Sequence, residues 1–565
     1  MRATFLLIIS ILALLAAQWW MAGRHDGAIF RGELHDSDSF MRLVRVANLI
    51  DGRDWYDHSI ARANAPHGHT LHWSRPLDVL LLAGAAGLAP SMGWQDGLHL
   101  AGVWLSPLLH LLTLLALLWA ARPLLPPSGL LWLGLLFPLQ LFLDFQFAPG
   151  RPDHHALILL LMVCALGIQI RALIDRRTVW AALLVLPLGL MVWVSVEGLL
   201  AAALAFAIYL FCWIRQGRPW ARHGLVLAAG LAAMSILAVV AEHPSIDTFT
   251  PHLDVISIVY IVLFMLVMSA FAVATFIRPL WPGLIAFAAV PVIQLLIFPD
   301  FIGGPLAAQD PKFAAAIFAY AGETAPVGSI RGFLLYFGPA LLALPHGLWR
   351  LTQARDRRPW ALITSGLVLY LPLAMLQVRW APYVALLALP GYCAVLTTIL
   401  AKIGGKVGMV RIFGAAIGQT AVVLIFAFGF LLLTAQFPNN QQVGVKCPQN
   451  AMARYLAARF PQKQRILSYM TIAPAILYRG PHEVIATPYF RNAQGGRDTL
   501  NFFRAMEVET AFEIAERRNI DLVLTCPADR ESRLYRPDRP RPVWLQPVPL
   551  PPELAQWYRL YRVLL

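Results

Sequence analysis

Thirteen apolar runs set the terms for this chain, near residues 4–22, 97–120, 128–146, 154–171, 178–195, 197–214, 223–241, 254–276, 281–299, 331–349, 359–377, 380–400 and 412–435. A helix of about 20 apolar residues spans ~30 Å of hydrocarbon, where an open backbone finds no hydrogen-bond partner. The chain therefore reads as an α-helical polytopic membrane protein. Its composition agrees: 13% of the residues are charged, against about 25% in soluble domains. The first run, Phe5 to Gly23, is long for a cleaved signal peptide and carries the interfacial pair Trp19-Trp20, so it is read as an uncleaved span.

The net charge of +14 suits nucleic acid, anionic lipid or topology signals. Its distribution decides among them. Alternate loops carry Arg122; Arg171, Arg176 and Arg177; Arg215, Arg218 and Arg222; Arg278; Arg350, Arg355, Arg357 and Arg358; then Lys402, Lys406 and Arg411. Only Asp175 and Asp356 are acidic among them. This is the positive-inside pattern. It places the N-terminus in the cytoplasm and residues 437–565 outside, and it leaves no role for nucleic acid. The other loops hold most of the carboxylates, and two are long, about 23–96 and 300–330. Within the first, Pro76 to Ala89 is apolar but short, as a segment lying along the interface would be. The expected division is a membrane domain, 1–436, and a small α/β outer domain, 437–565. In the latter Arg465 to Met470, Glu483 to Ala486 and Asp521 to Cys526 read as strands and Ala511 to Arg518 as a helix. Cys447 and Cys526 share the outer, oxidising side; sequence leaves open whether they pair.

Four polar motifs fall where spans meet the outer side. His35-Asp36-Ser37-Asp38 sets two carboxylates at i and i+2, able to converge on a hard cation or activate a hydroxyl, or simply to be solvated. Pro149-Gly150-Arg151-Pro152-Asp153-His154-His155 opens a span; Asp153 and the two histidines suit a metal, and Asp153 equally suits an N-cap. Glu323 lies in the second long loop. Arg379, in Gln377-Val378-Arg379-Trp380, runs against the charge trend and suits a phosphate or a snorkelling side chain. Glu197 falls at a tight outer turn or just inside the membrane. His67, His69 and His72 form an H-x-H-x-x-H cluster, read as a polar loop ahead of a zinc site. There is no P-loop, GxGxxG or GxSxG.

Taken in order, these features resemble the catalytic subunit of oligosaccharyltransferase, a membrane glycosyltransferase of the GT-C class. Asp36 and Asp38 match the first acidic motif of that family, with Trp55-Tyr56-Asp57 and Pro66-His67-Gly68 resembling the rest of its first outer loop. Gly150-Arg151-Pro152-Asp153-His154-His155 looks like the second acidic motif, with His155 standing where the family has a carboxylate. Tyr320-Ala321-Gly322-Glu323 resembles the outer-loop motif ending in Glu, and Arg379 matches the arginine that contacts the lipid-linked diphosphate. The W-W-D-Y-G motif of protein-modifying members has no counterpart; the outer domain offers Tyr489, Arg491 and Asn492 instead.

The resemblance implies a GT-C-like fold and an inverting transfer of a sugar or oligosaccharide from a polyprenyl-(di)phosphate donor. The acceptor would be a glycan, lipid or protein, at the periplasmic face of a bacterial inner membrane. Asp36, Asp38 and Glu323 would be catalytic, with Asp36 as the base. Asp38, Asp153 and His155 would hold a divalent cation, Mg²⁺ or Mn²⁺. Arg379 would bind the lipid phosphate, and Tyr489, Arg491 and Asn492 the acceptor. The loop near 300–330 would close as a lid. The other class kept open is a transporter or flippase of lipid-linked glycans. It ranks lower because the acids cluster at one face and no internal repeat is visible.

Overall fold

The computed structural model describes residues 2–243, 247–307, 309–353, 357–404, 409–435, 447–505, 507–526 and 542–564. Arg355, Asp356 and Lys406 lie outside the described residues, as does the expected domain boundary at 436/437. Among those described, ten helices are long and apolar enough to cross a membrane, from Thr4–Gly23 to Val378–Ile403. Three shorter apolar helices, Pro127–Leu139, Thr178–Val194 and Gly418–Leu433, accompany them. Each of the thirteen expected runs falls on one of these helices, and the chain is a multi-pass α-helical membrane protein.

One expected run is interrupted. Residues 128–146 form a helix Pro127–Leu136, a 3-10 turn Phe137–Leu139 and a short helix Leu141–Gln146. Pro138 lacks the N–H that would continue the helical ladder. The break aims the following segment, 147–153, into the bundle end where the polar motifs gather. The apolar stretch Pro76–Ala89 becomes a helix, Arg75–Met92. Its Leu77, Leu81 and Ala85 are buried while Val79 and Leu80 face outward. It folds back on the long helix Trp94–Ala121, with Ala101 against Gly84.

At that same end sits the C-terminal region. A two-residue hairpin, β1 (Ser59–Ile60) and β2 (His69–Thr70), belongs to the first long loop. The C-terminal strands are β3 (Arg465–Ser468), β4 (Glu483–Val484), β5 (Leu522–Thr525), β6 (Leu545–Val548) and β7 (Arg559–Val563). They form one sheet in the order β4-β3-β5-β7-β6, parallel across the first three and antiparallel beyond. The helix Val508–Arg518 precedes β5. The three expected strands and this helix are all present. The strands β6 and β7 arise in the charged, Pro-rich end, where no alternating pattern marks them.

The first loop is woven into this domain. Val484 N donates to Arg62 O at 2.8 Å and Ala65 N to Val484 O at 3.1 Å, so residues 62–65 extend the sheet beyond β4. Arg62 donates to the carbonyls of Leu477 and Gly480 at 2.7 Å each, closing the end of the helix Ala473–Arg479. Buried Arg518 reaches Ala65 O at 2.8 Å. Phe40, Leu43, Ile60 and Trp73 share one apolar core with Met452, Ile466, Ile476 and Leu522. Cys447 and Cys526 form a disulfide, tying the start of the domain to the end of β5.

Candidate active site

Asp36 ends an extended segment and caps the helix Ser37–Ile50. Ser39 N and Ser39 Oγ donate to its Oδ1 at 2.9 and 2.6 Å, and Arg151 Nε donates to its Oδ2 at 3.0 Å. Both Asp36 oxygens are thus committed. Burial works to raise this carboxyl, yet Arg151 and Ser39 together hold it below the usual carboxylate range. A carboxylate so held is a poor proton acceptor, so the base role expected of Asp36 does not fit its surroundings.

Asp38, the second residue of this helix, is different. Burial first, then the charges of Asp36, Asp153 and Glu323, push it up to about 7. The hydroxyl of Tyr489, itself buried, donates to Ser37 O at 3.3 Å and lies beside Asp38, whose carboxyl it works to lower. Tyr489 therefore carries the C-terminal domain directly onto the first acidic motif.

The second motif is shaped by Gly150, whose φ of 77° is open to glycine and strained for side chains; an added Cβ would also meet Ile29 Cδ1 at 2.0 Å. Arg151 then turns inward, buried, and bridges the motifs: its Nη2 lies 3.1 Å from Asp153 Oδ2, opposite its bond to Asp36. Gln146 accepts from its Nη1. Asp153 caps the helix His154–Asp175, accepting from His154 N at 2.6 Å. His154 Nδ1 is 2.6 Å from the same carboxylate, and the two imidazoles stack at 4.4 Å. Asp153 is held well below the usual range, because His154, His155 and Arg151 outweigh its burial.

The second long loop closes the ring. Glu323, in a 3-10 turn Gly322–Thr324, places Oε2 3.9 Å from His155 Nε2, the same distance as Asp153 Oδ2. The turn is tied to a helix end, with Val378 N donating to Ala325 O at 3.1 Å and Val327 N to Met375 O at 3.0 Å. That helix end leads to Arg379, which pairs with Glu197; Tyr383 donates to the same carboxylate at 3.3 Å. Asp36, Asp38, Asp153, His155, Glu323 and Arg379 thus belong to one cluster.

The three expected acceptor residues divide. Tyr489 faces Asp38. Arg491 forms a fork–fork pair with Asp254 at 2.8 and 2.7 Å. Asn492 is fully buried and donates to Thr487 Oγ1 at 3.0 Å, while its Oδ1 has no hydrogen-bond partner among the described residues. The histidines of H-x-H-x-x-H do not converge: His67 is exposed, and buried His69 meets Thr487 Oγ1 at 3.0 Å.

The donor set fits a divalent cation. Asp153, His154 and His155 can turn ligand atoms to within 4.8 Å of one another. Asp153 Oδ2 accepts no well-directed hydrogen bond. Asp38 is crowded by three other carboxylates, the situation that a cation relieves. Sequence reasoning noted His154 as a possible ligand but left it out of the expected cation set, and it passed over the bridging role of Arg151 and the Glu197 partner of Arg379. His154 and Arg151 stand inside the quoted motif; Glu197 is 182 residues from its partner.

Bundle, loops and sheet-bearing cap together define a GT-C-like membrane protein of the oligosaccharyltransferase type in fold. Among solved structures it is similar to the Archaeoglobus fulgidus oligosaccharyltransferase in its apo form, with TM-score 0.70 and 14% identity over 93% of this chain and 69% of that one. The same enzyme, AglB, with an inhibitory peptide and a dolichol-phosphate gives TM-score 0.65, 14% identity, 93% and 69%. Its complex with zinc and sulfate gives 0.63, 16%, 92% and 68%. Identity this low establishes the fold alone. No family model matches the chain, and no curated protein matches it in sequence.

Proposed function

We propose that this chain is an inverting glycosyltransferase that moves a sugar or oligosaccharide from a polyprenyl-(di)phosphate donor to a glycan, lipid or protein acceptor. The reaction takes place at the periplasmic face of a bacterial inner membrane, with thirteen spans (residues 1–436), the N-terminus in the cytoplasm and residues 437–565 outside. One observation carries the reading: Asp38, Asp153, His155 and Glu323 gather at one end of the bundle, where the Arg379–Glu197 pair also lies. A lipid-borne phosphate reaches water at that level. A transporter would place its ionisable groups near the midplane, so transport is not favoured. The AglB complexes with dolichol-phosphate and with zinc and sulfate support the donor class and the cation.

Asp38, Asp153 and His155 hold the cation, Mg²⁺ or Mn²⁺, the imidazole favouring Mn²⁺. When bound, such an ion supplies positive charge where the leaving phosphate gains negative charge. Arg151 locks Asp36 and Asp153 in register. Glu323, whose side chain is 39% exposed, is the open carboxylate and accepts the proton of the acceptor hydroxyl or amide. The acceptor heteroatom bonds to the anomeric carbon as the carbon–oxygen bond to phosphate breaks, and the electron pair leaves with the phosphate. Arg379 turns from Glu197 to that phosphate. Tyr489 steadies Asp38 from the acceptor side, next to Arg491. Asp38→Ala and Asp153→Ala should each lower transfer by about a thousandfold or more, with an unchanged elution profile in detergent. Full activity in either variant refutes the site.

A further inference from the structure

The opposite pole of the bundle holds a cavity of about 480 Å³ that the transfer chemistry does not use. Arg350, Lys402, His346, Trp349, Trp360 and Leu124 are among the residues that line it, and among the described residues no carboxylate does. It opens between the ends of three helices, Ile330–Gln353, Arg358–Leu376 and Ala381–Gly404. The guanidinium of Arg350 lies 5.2 Å over the Trp360 ring, and His346 meets the same ring edge-on at 5.3 Å. Arg350 Nε and His346 Nε2 are buried without a hydrogen-bond partner among the described residues. Neither Arg350 nor Lys402 pairs with a described carboxylate. Lys402 is six turns of helix beyond Arg379, ~35 Å at 1.5 Å per residue, about one membrane thickness from the candidate active site.

We propose that this cavity is a binding site for an anionic phospholipid, independent of the glycosyl-transfer site. Two unpaired cations at one membrane surface, with buried donors lacking an acceptor, call for a phosphate-bearing headgroup. The lining also includes Leu124, Ala394 and Ala401, an apolar wall that suits the first carbons of an acyl chain. Free phosphate would leave that wall bare, whereas a diacyl lipid covers it.

The test is native mass spectrometry of the full chain in detergent, titrated with dioleoylphosphatidylglycerol, with dioleoylphosphatidylcholine and with inorganic phosphate. The expected result is one phosphatidylglycerol retained in preference to phosphatidylcholine. The Arg350→Gln/Lys402→Gln double variant should weaken that retention by about thirtyfold, roughly fivefold for each basic residue near the surface. Arg215→Gln/Arg278→Gln, the same charge change at exposed positions of the same pole, should leave it unaltered. Equal retention of the two lipids by the unmodified chain overturns the proposal without recourse to any variant. So does equal retention by the double variant, or displacement of phosphatidylglycerol by inorganic phosphate at millimolar concentration.

Discussion

At the scale of single residues, the two neighbouring aspartates of the first motif have opposite surroundings. Asp36 is held ionised by Arg151, while Asp38 is crowded by acids. In chelated protein the folded state keeps a proton on Asp38 that the unfolded chain has lost by about pH 4. Stability from this group is therefore present at low pH and drains away as pH rises toward 7. Asp38→Asn removes that dependence. Its melting temperature in chelator should gain on the unsubstituted chain between about pH 5 and about pH 8, and parallel curves would refute the crowding. Arg379 and Glu197 give a second test. Their side chains are 24% and 10% exposed, so losing one partner should cost about 1–3 kcal/mol. The Arg379→Ala/Glu197→Ala double variant should cost less than the sum, read from denaturation midpoints. At this scale the sequence showed which residues were chemically unusual. It could not show their pairing, because an ion pair across 182 residues leaves no local pattern.

At the scale of elements, apolar length was the most legible property, since a span must satisfy its own backbone. Pro138 was visible too, but the path it imposes on 147–153 depends on what packs around it. The second long loop shows the same limit. Its helix Pro311–Tyr320 reads as part of a lid, yet it is docked on the outer domain. Asp310 accepts from Arg497 at 2.7 Å, and Phe313 lies so close that a Cβ on Gly496 would meet its ring at 1.9 Å. A Gly496→Leu substitution should therefore lift this helix from the helix Ala493–Arg504. Limited proteolysis within 299–330 should speed up by roughly tenfold, with the helical circular dichroism unchanged. An unchanged digestion pattern would mean that the docking contributes little.

At the scale of the whole molecule, the strand patterns of β3, β4 and β5 were readable, whereas the expected boundary at 436/437 lies outside the described residues. The shared core was not readable, because Phe40, Leu43 and Trp73 look like ordinary loop and helix residues until Ile466 and Leu522 are set against them. The disulfide closes a stretch of 79 residues around β3 to β5. Cys447→Ser should lower stability of the outer domain by about 2–4 kcal/mol, measured by urea unfolding followed by tryptophan emission. No change would indicate that the core alone suffices. The strand-like segment 62–65 has a further consequence, which concerns time. Arg62 meets Gly480 across 418 residues. At ~10 residues per second on the ribosome, the first loop waits on the order of 40 s for its sheet partner. Through that interval its backbone edge and apolar face lack the partners they have in the folded chain. Biosynthesis of this fold thus leaves its longest-range sheet contact to form only after most of the chain has been translated.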